Sequence, residues 1–426
     1  MSAPLHILMP SDVFPPRCGG AGWSAHALAL ALIERGHTVR ALVPQQNQHG
    51  ISEADVLGVP TTRWGYRTPR IPFVQNYARH ERLWPRFAEL LTEQGHSAQQ
   101  VVIHAQHVQV TPPSVLAGQR LRAPVLVTVR DHWPWDYFAT GLHADRVPLE
   151  RQTWATLATD LPQRLGALRG TLALPAIPYM LRHLHRRQRY LRRADAVIAV
   201  SDYIAQRLAP IVAPERLHVL PNMLDIDAIE RVSREWPTSV PTNQRYLLYV
   251  GKLERNKGAQ VLLESFRSLD ASQRAALAEH TLVLAGNGSL QSTLQRELAA
   301  LGISAQFLDW VDHDETLRLM AHCEVLLFPS AWGEPLSRVM LEGLACGAPI
   351  LAMPTGGTPS AITDGVNGAL EPTPAGFARR LLALLAQPQQ RAALGEAARQ
   401  RARTRYARSV VVAQVESLYY GLLASR

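Results

Sequence analysis

Two glutamates, Glu334 and Glu342, have the residue type and spacing to bind a polar ligand. Residues 324–330 form a short, mostly apolar run typical of a buried parallel strand, and Pro335 suits the first turn of a helix, where its missing N–H costs nothing. Glu334 therefore lies at the start of a predicted helix, and Glu342 lies about two turns further along it. Carboxylates at this separation can hold different parts of one elongated polar ligand.

The loop before this helix should also bind an anion. The helix is expected to stop at Gly347, and residues 349–352 indicate the next strand, so the segment is strand, loop, helix, strand. In such a unit the loop lies at the carboxyl edge of the sheet, where ligands bind. Free backbone N–H groups around Leu336 and Ser337 would face an anion there. A sugar with a phosphate tail fits both features.

A second loop carries cations. Residues 251–258, Gly-Lys-Leu-Glu-Arg-Asn-Lys-Gly, follow a predicted strand at 246–250 and precede a helix. Lys252 and Lys257 therefore stand where a diphosphate would lie. Lysine supplies positive charge but lacks the two-pronged hydrogen-bonding geometry of arginine, so the phosphate could be held differently or less strongly.

Composition limits the class of protein. The 426 residues are 47% hydrophobic and 19% charged, which is typical of a globular chain and, at this length, of two domains. The net charge of +9 implies attraction to an anion: nucleic acid, an acidic membrane surface or a phosphorylated substrate. The three cysteines form no CxxC pair, so neither a disulfide framework nor a zinc site is indicated. A reducing cytoplasm is the expected compartment, and no secretory signal or bilayer-spanning stretch is expected.

Strand candidates alternate with helical stretches in two successive groups, as in α/β proteins with parallel sheets. The first group lies at residues 5–9, 38–43, 101–104, 124–129, 196–200 and 217–220, and the second at 246–250, 281–285, 306–308, 325–328 and 349–352. The polar, proline-containing stretch 225–242 separates them. We therefore predict Rossmann-like domains at residues 1–224 and 225–405.

The spacing of Glu334 and Glu342, between Pro-Ser-Ala-Trp-Gly and Gly-Leu-Ala-Cys-Gly-Ala-Pro-Ile, resembles the signature of the retaining glycosyltransferases of family 4. The resemblance covers most of the chain and is strongest at residues 246–368. It implies the GT-B fold, in which two Rossmann-like domains face a central cleft and a terminal helix, here residues 406–426, returns to the first domain. It also implies transfer of a sugar from a nucleotide-sugar donor to a hydroxyl of a glycan or lipid-linked acceptor, with retention of anomeric configuration. No metal ion is expected, because lysines and the helix start can neutralise the phosphate charge and no carboxylate pair suited to a divalent ion lies there.

The resemblance implies roles for individual residues. Glu334 would contact the donor sugar, Glu342 the ribose and Lys257 the diphosphate, whereas Lys252 stands where the family usually has arginine. The other positions expected to approach the donor are the loop glycines Gly19, Gly20, Gly286 and Gly288 and the backbone of Val311.

Arg130 departs from the family pattern. It replaces the histidine of a Thr-x-His-Asp sequence that touches the donor sugar in many members. Arg130 could instead contact an acidic sugar or a phosphate on the acceptor, with His132 or His107 as the polar partner.

The pattern leaves one alternative open and disfavours two. A donor-binding protein with little catalytic activity would explain Lys252 and Arg130 together. Nucleic-acid binding would use the basic charge, but neither an aromatic stacking platform nor a known DNA-binding motif accompanies it. A dinucleotide-dependent oxidoreductase is disfavoured because residues 15–22 lack the GxGxxG order and Pro44 and Gln45, rather than an acid, follow the second strand.

Residues 139–193 are longer than a simple crossover needs. They end in an arginine run: Arg182, Arg186, Arg187, Arg189, Arg192 and Arg193. An apolar hairpin followed by cations could contact the acidic headgroups of a membrane, at its inner face. The same run could be the solvated face of a helix that packs on its own domain, and the sequence leaves both interpretations open.

Overall fold

The computed structural model describes residues 3–71, 73–144 and 147–426. Residues 145 and 146 of the arginine-rich segment lie outside the described residues. The chain divides into two compact units, one formed by Met1–Met223 with Val411–Arg426 and the other by Leu224–Val410. Each unit has its own mainly parallel sheet with helices between the strands, the α/β arrangement that the alternating pattern predicts.

The strands of the first unit include every strand predicted there. They are β1 (His6–Pro10), β2 (Thr38–Gln46), β3 (Gly50–Val56), β4 (Val59–Tyr66), β5 (Val101–Ala105), β6 (Val125–Val129), β7 (Leu142–His143), β8 (Val147–Pro148), β9 (Ala196–Ala199) and β10 (Leu217–Val219). Eight of them form one sheet in the order β10-β9-β6-β5-β1-β2-β4-β3, and β7 pairs with β8 separately. All neighbours in the large sheet run parallel except β3 and β4.

The hairpin of β3 and β4 at the sheet edge is absent from the sequence-based prediction. Pro60 and Gly65 lie in β4, and both residue types are unfavourable inside strands, so the sequence does not indicate a strand here. Leu57 and Gly58 form the turn with φ of 50° and 85°, and the Asp55 carboxylate accepts the Gly58 N–H at 2.7 Å.

The helices of the first unit lie between its strands along the chain. They are α1 (Gly20–Glu34), α2 (Val74–Tyr77), α3 (Trp84–Gly95), α4 (Thr111–Leu121), α5 (Trp154–Leu165), α6 (Ala167–Leu172), α7 (Ile177–Leu191) and α8 (Asp202–Leu208), with a π-helical turn at Ala78–Arg82 and short 3₁₀ turns at Leu174–Ala176 and Pro214–Arg216. Part of the last helix of the chain belongs to the same core, since Val411, Val415 and Tyr419 pack with apolar residues of β1 and α1.

The second unit contains the remaining elements. Its strands are β11 (Tyr246–Val250), β12 (Thr281–Ala285), β13 (Ala305–Asp309), β14 (Val325–Phe328), β15 (Ile350–Ala352) and β16 (Ala369–Leu370), of which only the last is not predicted. Its helices are α9 (Ile226–Val232), α10 (Ala259–Arg267), α11 (Ala271–Ala275), α12 (Gln291–Ala300), α13 (His313–His322), α14 (Arg338–Cys346), α15 (Thr358–Ala361), α16 (Pro374–Leu385) and α17 (Pro388–Arg405), and α18 (Arg408–Ala424) continues into the first unit.

The strand order of the second sheet creates a ligand-binding position. The order is β13-β12-β11-β14-β15-β16, and the paired strands run parallel. The chain leaves β11 toward β12 on one side and leaves β14 toward β15 on the other, so the strand order reverses between β11 and β14. Such a switch point opens a crevice at the carboxyl ends of the strands, where ligands bind in open α/β sheets. The loops after β11 and β14 are those of the cationic and glutamate motifs.

Several arginines of the run on α7 are buried or paired within the protein. Arg187 is buried, and its guanidinium donates to His183 at 2.9 Å and lies over the Tyr137 ring. Arg182 and Arg186 pair with Glu81 at 3.5 and 3.0 Å. A membrane role for Arg187 is therefore wrong, because its side chain cannot reach a surface. In the part of the chain that the structure describes, no helix is long and apolar enough to cross a bilayer.

Candidate functional site

Loops at the carboxyl edge of the second sheet line a cavity of about 400 Å³. This volume is within the range of roughly 300–1,000 Å³ seen for small-molecule sites. The lining includes four residues predicted from sequence, Lys252, Gly286, Val311 and Glu342. The loops after β11, β12 and β13 therefore meet α14 at this cavity.

The loop after β11 is fixed by a buried tyrosine and a glycine. The Tyr249 hydroxyl donates to the backbone oxygens of Lys252 at 2.8 Å and Lys257 at 3.2 Å. Gly258 has φ of 85°, and a Cβ there would lie 1.9 Å from the Pro329 oxygen. Only glycine therefore allows this loop to approach the end of β14. The side chain of Lys252 remains exposed beside the cavity.

Lys257 and Glu334, 77 residues apart in sequence, form an ion pair. The Lys257 ammonium donates to the two carboxylate oxygens of Glu334 at 2.8 and 2.7 Å, and it lies 4.7 Å from the centre of the Trp332 ring. A cation over an aromatic face gains further electrostatic stabilisation. The two residues predicted to contact a diphosphate and a sugar thus contact each other, at the switch point of the sheet.

The backbone of Glu334 is held by a neighbouring loop. Its oxygen accepts the Gly357 N–H at 2.6 Å. Gly356 has φ of 55°, and a Cβ there would lie 2.4 Å from both the nitrogen and the oxygen of Glu334. The glutamate is therefore positioned by close backbone packing, which a side chain at residue 356 would prevent.

Glu342 is buried and accepts hydrogen bonds from two neighbouring side chains. One carboxylate oxygen accepts from His313 Nε2 at 2.8 Å and from Arg338 Nε at 2.7 Å. Burial raises the pKa of Glu342, but the hydrogen bond from His313 and the charge of Arg338 outweigh burial, so its pKa lies below the usual range. The hydrogen bond to Glu342 in turn raises the pKa of His313. The site therefore presents an ionised, oriented carboxylate to the cavity.

The helix after Glu334 starts later than predicted. It begins at Arg338, and Ser337 is its N-cap, accepting the Met340 N–H at 3.5 Å. The prediction of a start at Pro335 is wrong because the serine side chain satisfies an amide that would otherwise be free. Leu336 and Ser337 precede this helix and are both buried, and the role of their backbone N–H groups in anion binding stays a prediction. The predicted end at Gly347 is right, with φ of 73°.

The glycines after β12 have a structural reason that differs from the predicted one. Gly286 has φ of 133°, and a Cβ there would lie 2.2 Å from the Gly251 oxygen. A Cβ at Gly288 would lie 2.5 Å from the Leu253 oxygen. Both glycines let this loop pack against the loop after β11, and their approach to a ligand stays a prediction.

Gly19 and Gly20 lie at the start of α1 in the first unit. Gly19 is the N-cap and Gly20 the first helical residue, and both are exposed. Gly19 has an ordinary φ of −81°, and a Cβ there would meet no atom within 4 Å. Neither backbone conformation nor packing explains a glycine at residue 19, which is compatible with its predicted approach to a ligand.

Gly286 and Gly19 give a matched pair of variants. We expect Gly286→Ala to lower the free energy of unfolding by about 2–5 kcal/mol through backbone strain and overpacking. Gly19→Ala should change it by about 1 kcal/mol or less, since only the cap preference changes. Urea denaturation measures both, and equal midpoints for the two variants would contradict the assignment. If Gly19 approaches a ligand, Gly19→Ala should lower activity without lowering stability.

His107 in the first unit lies between two carboxylates. Its Nδ1 is 3.0 Å from Asp12 Oδ2 and its Nε2 is 2.7 Å from Asp131 Oδ2. Burial lowers the pKa of His107, but the two aspartates raise it more, to about 10. The imidazolium therefore compensates two acids at the carboxyl ends of β1, β5 and β6. Sequence reasoning missed Asp12, although its position two residues after β1 is a usable signal.

Arg130 is held by two amide side chains. Its Nη1 donates to Gln106 Oε1 at 2.7 Å and its Nε donates to Asn222 Oδ1 at 3.0 Å. Burial lowers the pKa of Arg130 to about 10, so it stays charged at neutral pH. His132 is fully buried against Trp135 and Tyr203, so the structure does not place it as an accessible partner for a ligand.

Sequence reasoning also missed the partners of Glu342. His313 lies at the start of α13 and Arg338 at the start of α14, and neither belongs to a recognised motif. The spacing of Arg338 and Glu342 by four residues on one helix was the available signal. Among residues 3–71, 73–144 and 147–426, no group of histidine, cysteine and acidic side chains could hold a metal ion.

Comparison with known proteins identifies two matching family models. The model of the glycosyl transferases group 1 matches residues 233–401, and that of glycosyltransferase family 4 matches residues 18–228. The D-inositol 3-phosphate glycosyltransferase of Mycolicibacterium smegmatis is 29% identical over 231 residues, covering 52% of each chain. The glycogen synthase of Mycobacterium tuberculosis is 25% identical over 423 residues, covering 93% of this chain and 90% of its own. The chain thus spans about half the length of the first relative.

A solved structure of similar fold is that of Anabaena Alr3699/HepE in complex with UDP. It superimposes with a TM-score of 0.68 at 18% identity, covering 98% of this chain and all of the other. At this identity the likeness concerns the fold, which is GT-B.

Proposed function

The chain belongs to the group 1 and family 4 glycosyltransferases and has the GT-B fold, and from this premise we propose that it transfers a sugar from a nucleotide-sugar donor to a hydroxyl of a glycan or lipid-linked acceptor with retention of anomeric configuration. The observation that carries this proposal is the Lys257–Glu334 ion pair, which joins the loops after β11 and β14 at the switch point of the sheet. The loop after β11 also contributes Lys252 to the cavity that Glu342 lines. A cation and two carboxylates at this edge of the sheet are the groups that a nucleotide-sugar needs.

The donor contacts follow from the chemistry of each side chain. Glu342 accepts hydrogen bonds from ribose hydroxyls, because His313 and Arg338 keep it ionised and oriented. Lys257 and the exposed Lys252 bind the diphosphate, and Glu334 binds the sugar hydroxyls. The complex of HepE with UDP supports uridine diphosphate as the first nucleotide to test.

Retention requires that the acceptor attacks the face from which the diphosphate leaves. The bond between the anomeric carbon and the phosphate oxygen breaks, and a bond from that carbon to the acceptor oxygen forms. A leaving phosphate oxygen takes the acceptor proton, so no separate base is needed. Lys257 and Lys252 stabilise the negative charge that develops on the leaving group. Arg130 in the first unit binds an acidic group of the sugar or a phosphate of the acceptor.

The direct test is release of nucleoside diphosphate from a panel of nucleotide-sugars, followed by NMR of the product. Release with a product of the same anomeric configuration as the donor supports the proposal. Inversion would overturn the retaining mechanism alone. The alternative is a catalytically weak donor-binding protein. Lys252 and Arg130 favour it, because both depart from the family pattern. This alternative predicts nucleotide-sugar binding without release of nucleoside diphosphate.

Metal independence is a separate prediction. We expect the release rate to be unchanged in EDTA, because the two lysines and the first turn of α14 provide the positive potential that a divalent ion would otherwise supply. Initial rates with EDTA, with EDTA followed by excess magnesium, and with manganese measure the effect. Activity that is lost in EDTA and restored by either ion would contradict it.

A further inference from the structure

The helical hairpin of α5 and α6 exposes large apolar side chains that the proposed transfer site does not use. Trp154 is 56% exposed, Leu165 43%, Leu168 76% and Leu172 73%. We call these four residues the α5–α6 face. Soluble surfaces rarely concentrate exposed leucines in this way, and such patches mark sites of interaction with proteins or membranes.

Local geometry explains why these side chains point outward. Gly166 has φ of 83° and separates the two helices, and a Cβ at Gly170 would lie 2.2 Å from the Pro162 Cα, so α6 packs directly on α5. Leu157 and Leu161 of α5 are buried beneath. The leucines at 168 and 172 are one helical turn apart and therefore lie on one side of α6.

The charge around this hairpin is strongly one-sided. Between residues 151 and 193 the sequence contains nine arginines and one acid, Asp160. Asp160 is buried, and its carboxylate accepts the Ala144 N–H at 2.6 Å. Glu150 is exposed beside Arg151, and Arg182 pairs with Glu81. The exposed charges of this segment are therefore mainly cationic, and they include Arg169 and Arg189.

We propose that the α5–α6 face binds the surface of a lipid bilayer with acidic headgroups. Exposed leucines and a tryptophan enter the boundary between headgroups and acyl chains, and neighbouring arginines contact the headgroup phosphates. A protein partner would require acidic groups in a matching arrangement, whereas any bilayer with acidic headgroups offers an apolar interior beneath a negatively charged surface. The buried Arg187 takes no part, so the recognition element is the hairpin rather than the whole arginine run. The proposal does not depend on the transfer reaction.

Flotation with vesicles of phosphatidylcholine and phosphatidylglycerol tests this inference. Wild-type protein should float with these vesicles and only weakly with pure phosphatidylcholine. Leu168→Ser combined with Leu172→Ser should lower the partition coefficient by about tenfold or more, since two apolar side chains no longer leave water. Ile51→Ser is the matched control, because Ile51 is 57% exposed on β3 of the same unit. Arg169→Ser should weaken binding at low salt more than the exposed Arg120→Ser does.

The result that overturns the proposal is equal flotation of wild type and the double leucine variant, or no flotation of wild type. Sedimentation velocity provides a second readout. If wild type forms a dimer that the double variant does not, the face binds a second copy of the chain and the bilayer proposal is wrong. Calorimetric binding of uridine diphosphate without vesicles should be equal in all variants, so a failure of the membrane inference is distinguishable from a failure of the proposed function.

Discussion

Lys257→Ala should lower the rate of nucleoside diphosphate release by about 10²–10³-fold, the usual cost of removing one group that stabilises a developing anion. The variant also leaves the half-buried Glu334 carboxylate without its cation, and that charge then repels a diphosphate. We therefore expect weaker binding of uridine diphosphate as well. Initial rates and titration calorimetry at two salt concentrations measure the two effects.

The control for this variant is Arg255→Ala. Arg255 is an exposed cation of the same loop, so its loss changes the net charge equally without removing the partner of Glu334. Similar losses in both variants would mean that only the overall charge of the loop matters. An unchanged rate and affinity in Lys257→Ala would contradict the assignment of Lys257 to the diphosphate.

Glu334→Gln separates the two members of the ion pair. If Glu334 binds the sugar, the affinity for uridine diphosphate without a sugar should not fall. It should rise, because the Gln side chain carries no charge and Lys257 is then free to bind the diphosphate. Release from the nucleotide-sugar should still be slowed, because a charged contact to the sugar is lost. A parallel loss of diphosphate affinity would show that Glu334 acts mainly by holding Lys257 in place.

Glu342→Ala should weaken uridine diphosphate binding by about tenfold to a hundredfold, since a hydrogen bond to a charged group contributes roughly 1.5–3 kcal/mol. The loss also leaves Arg338 and His313 without their shared acceptor. Inorganic pyrophosphate is the discriminating probe, because it has no ribose. We expect its affinity to be unchanged or higher, as a negative charge has left the site.

Titration calorimetry with both ligands checks this prediction. Glu342→Gln should be intermediate, because the amide oxygen still accepts from Arg338 but carries no charge. Equal weakening of pyrophosphate and uridine diphosphate would contradict a ribose contact. A lowered unfolding midpoint in both variants would indicate that the residue mainly stabilises the packing of α13 and α14.

The sequence was most informative where a strand is buried on both faces. Tyr246–Val250 is a continuous apolar run and Val125–Val129 is apolar except for Thr128, as is typical of parallel strands covered by helices, and all the predicted strands are present. The hairpin of β3 and β4 has no such run, because β3 is mostly exposed and β4 contains Pro60 and Gly65. The two-residue β16 is too short to produce any pattern. Local pattern therefore predicts the centre of each sheet better than its edges.

The family and the fold could also be predicted from the sequence. Each of the two motifs lies within one short segment: the two glutamates with their glycine-containing flanks, and the cationic loop. Their residue spacing can therefore be recognised in the sequence alone. The matching family models and the GT-B fold confirm the resemblance. The start of α14 was wrong because capping depends on which side chain reaches the first amides, and Ser337 does so where Pro335 cannot.

The sequence by itself determined the α/β class, the buried strands and the two loops that carry charge, because these depend on residues close together in the chain. Only the tertiary structure decided which charged groups meet. Lys257 and Glu334 are 77 residues apart, and His313 and Glu342 are 29 apart. His107 is 95 residues from Asp12 and 24 from Asp131, yet the atoms of each of these pairs lie within 3.0 Å. Parallel strands bring distant loops to one edge of a sheet, and that return depends on strand order and packing, which no local pattern encodes.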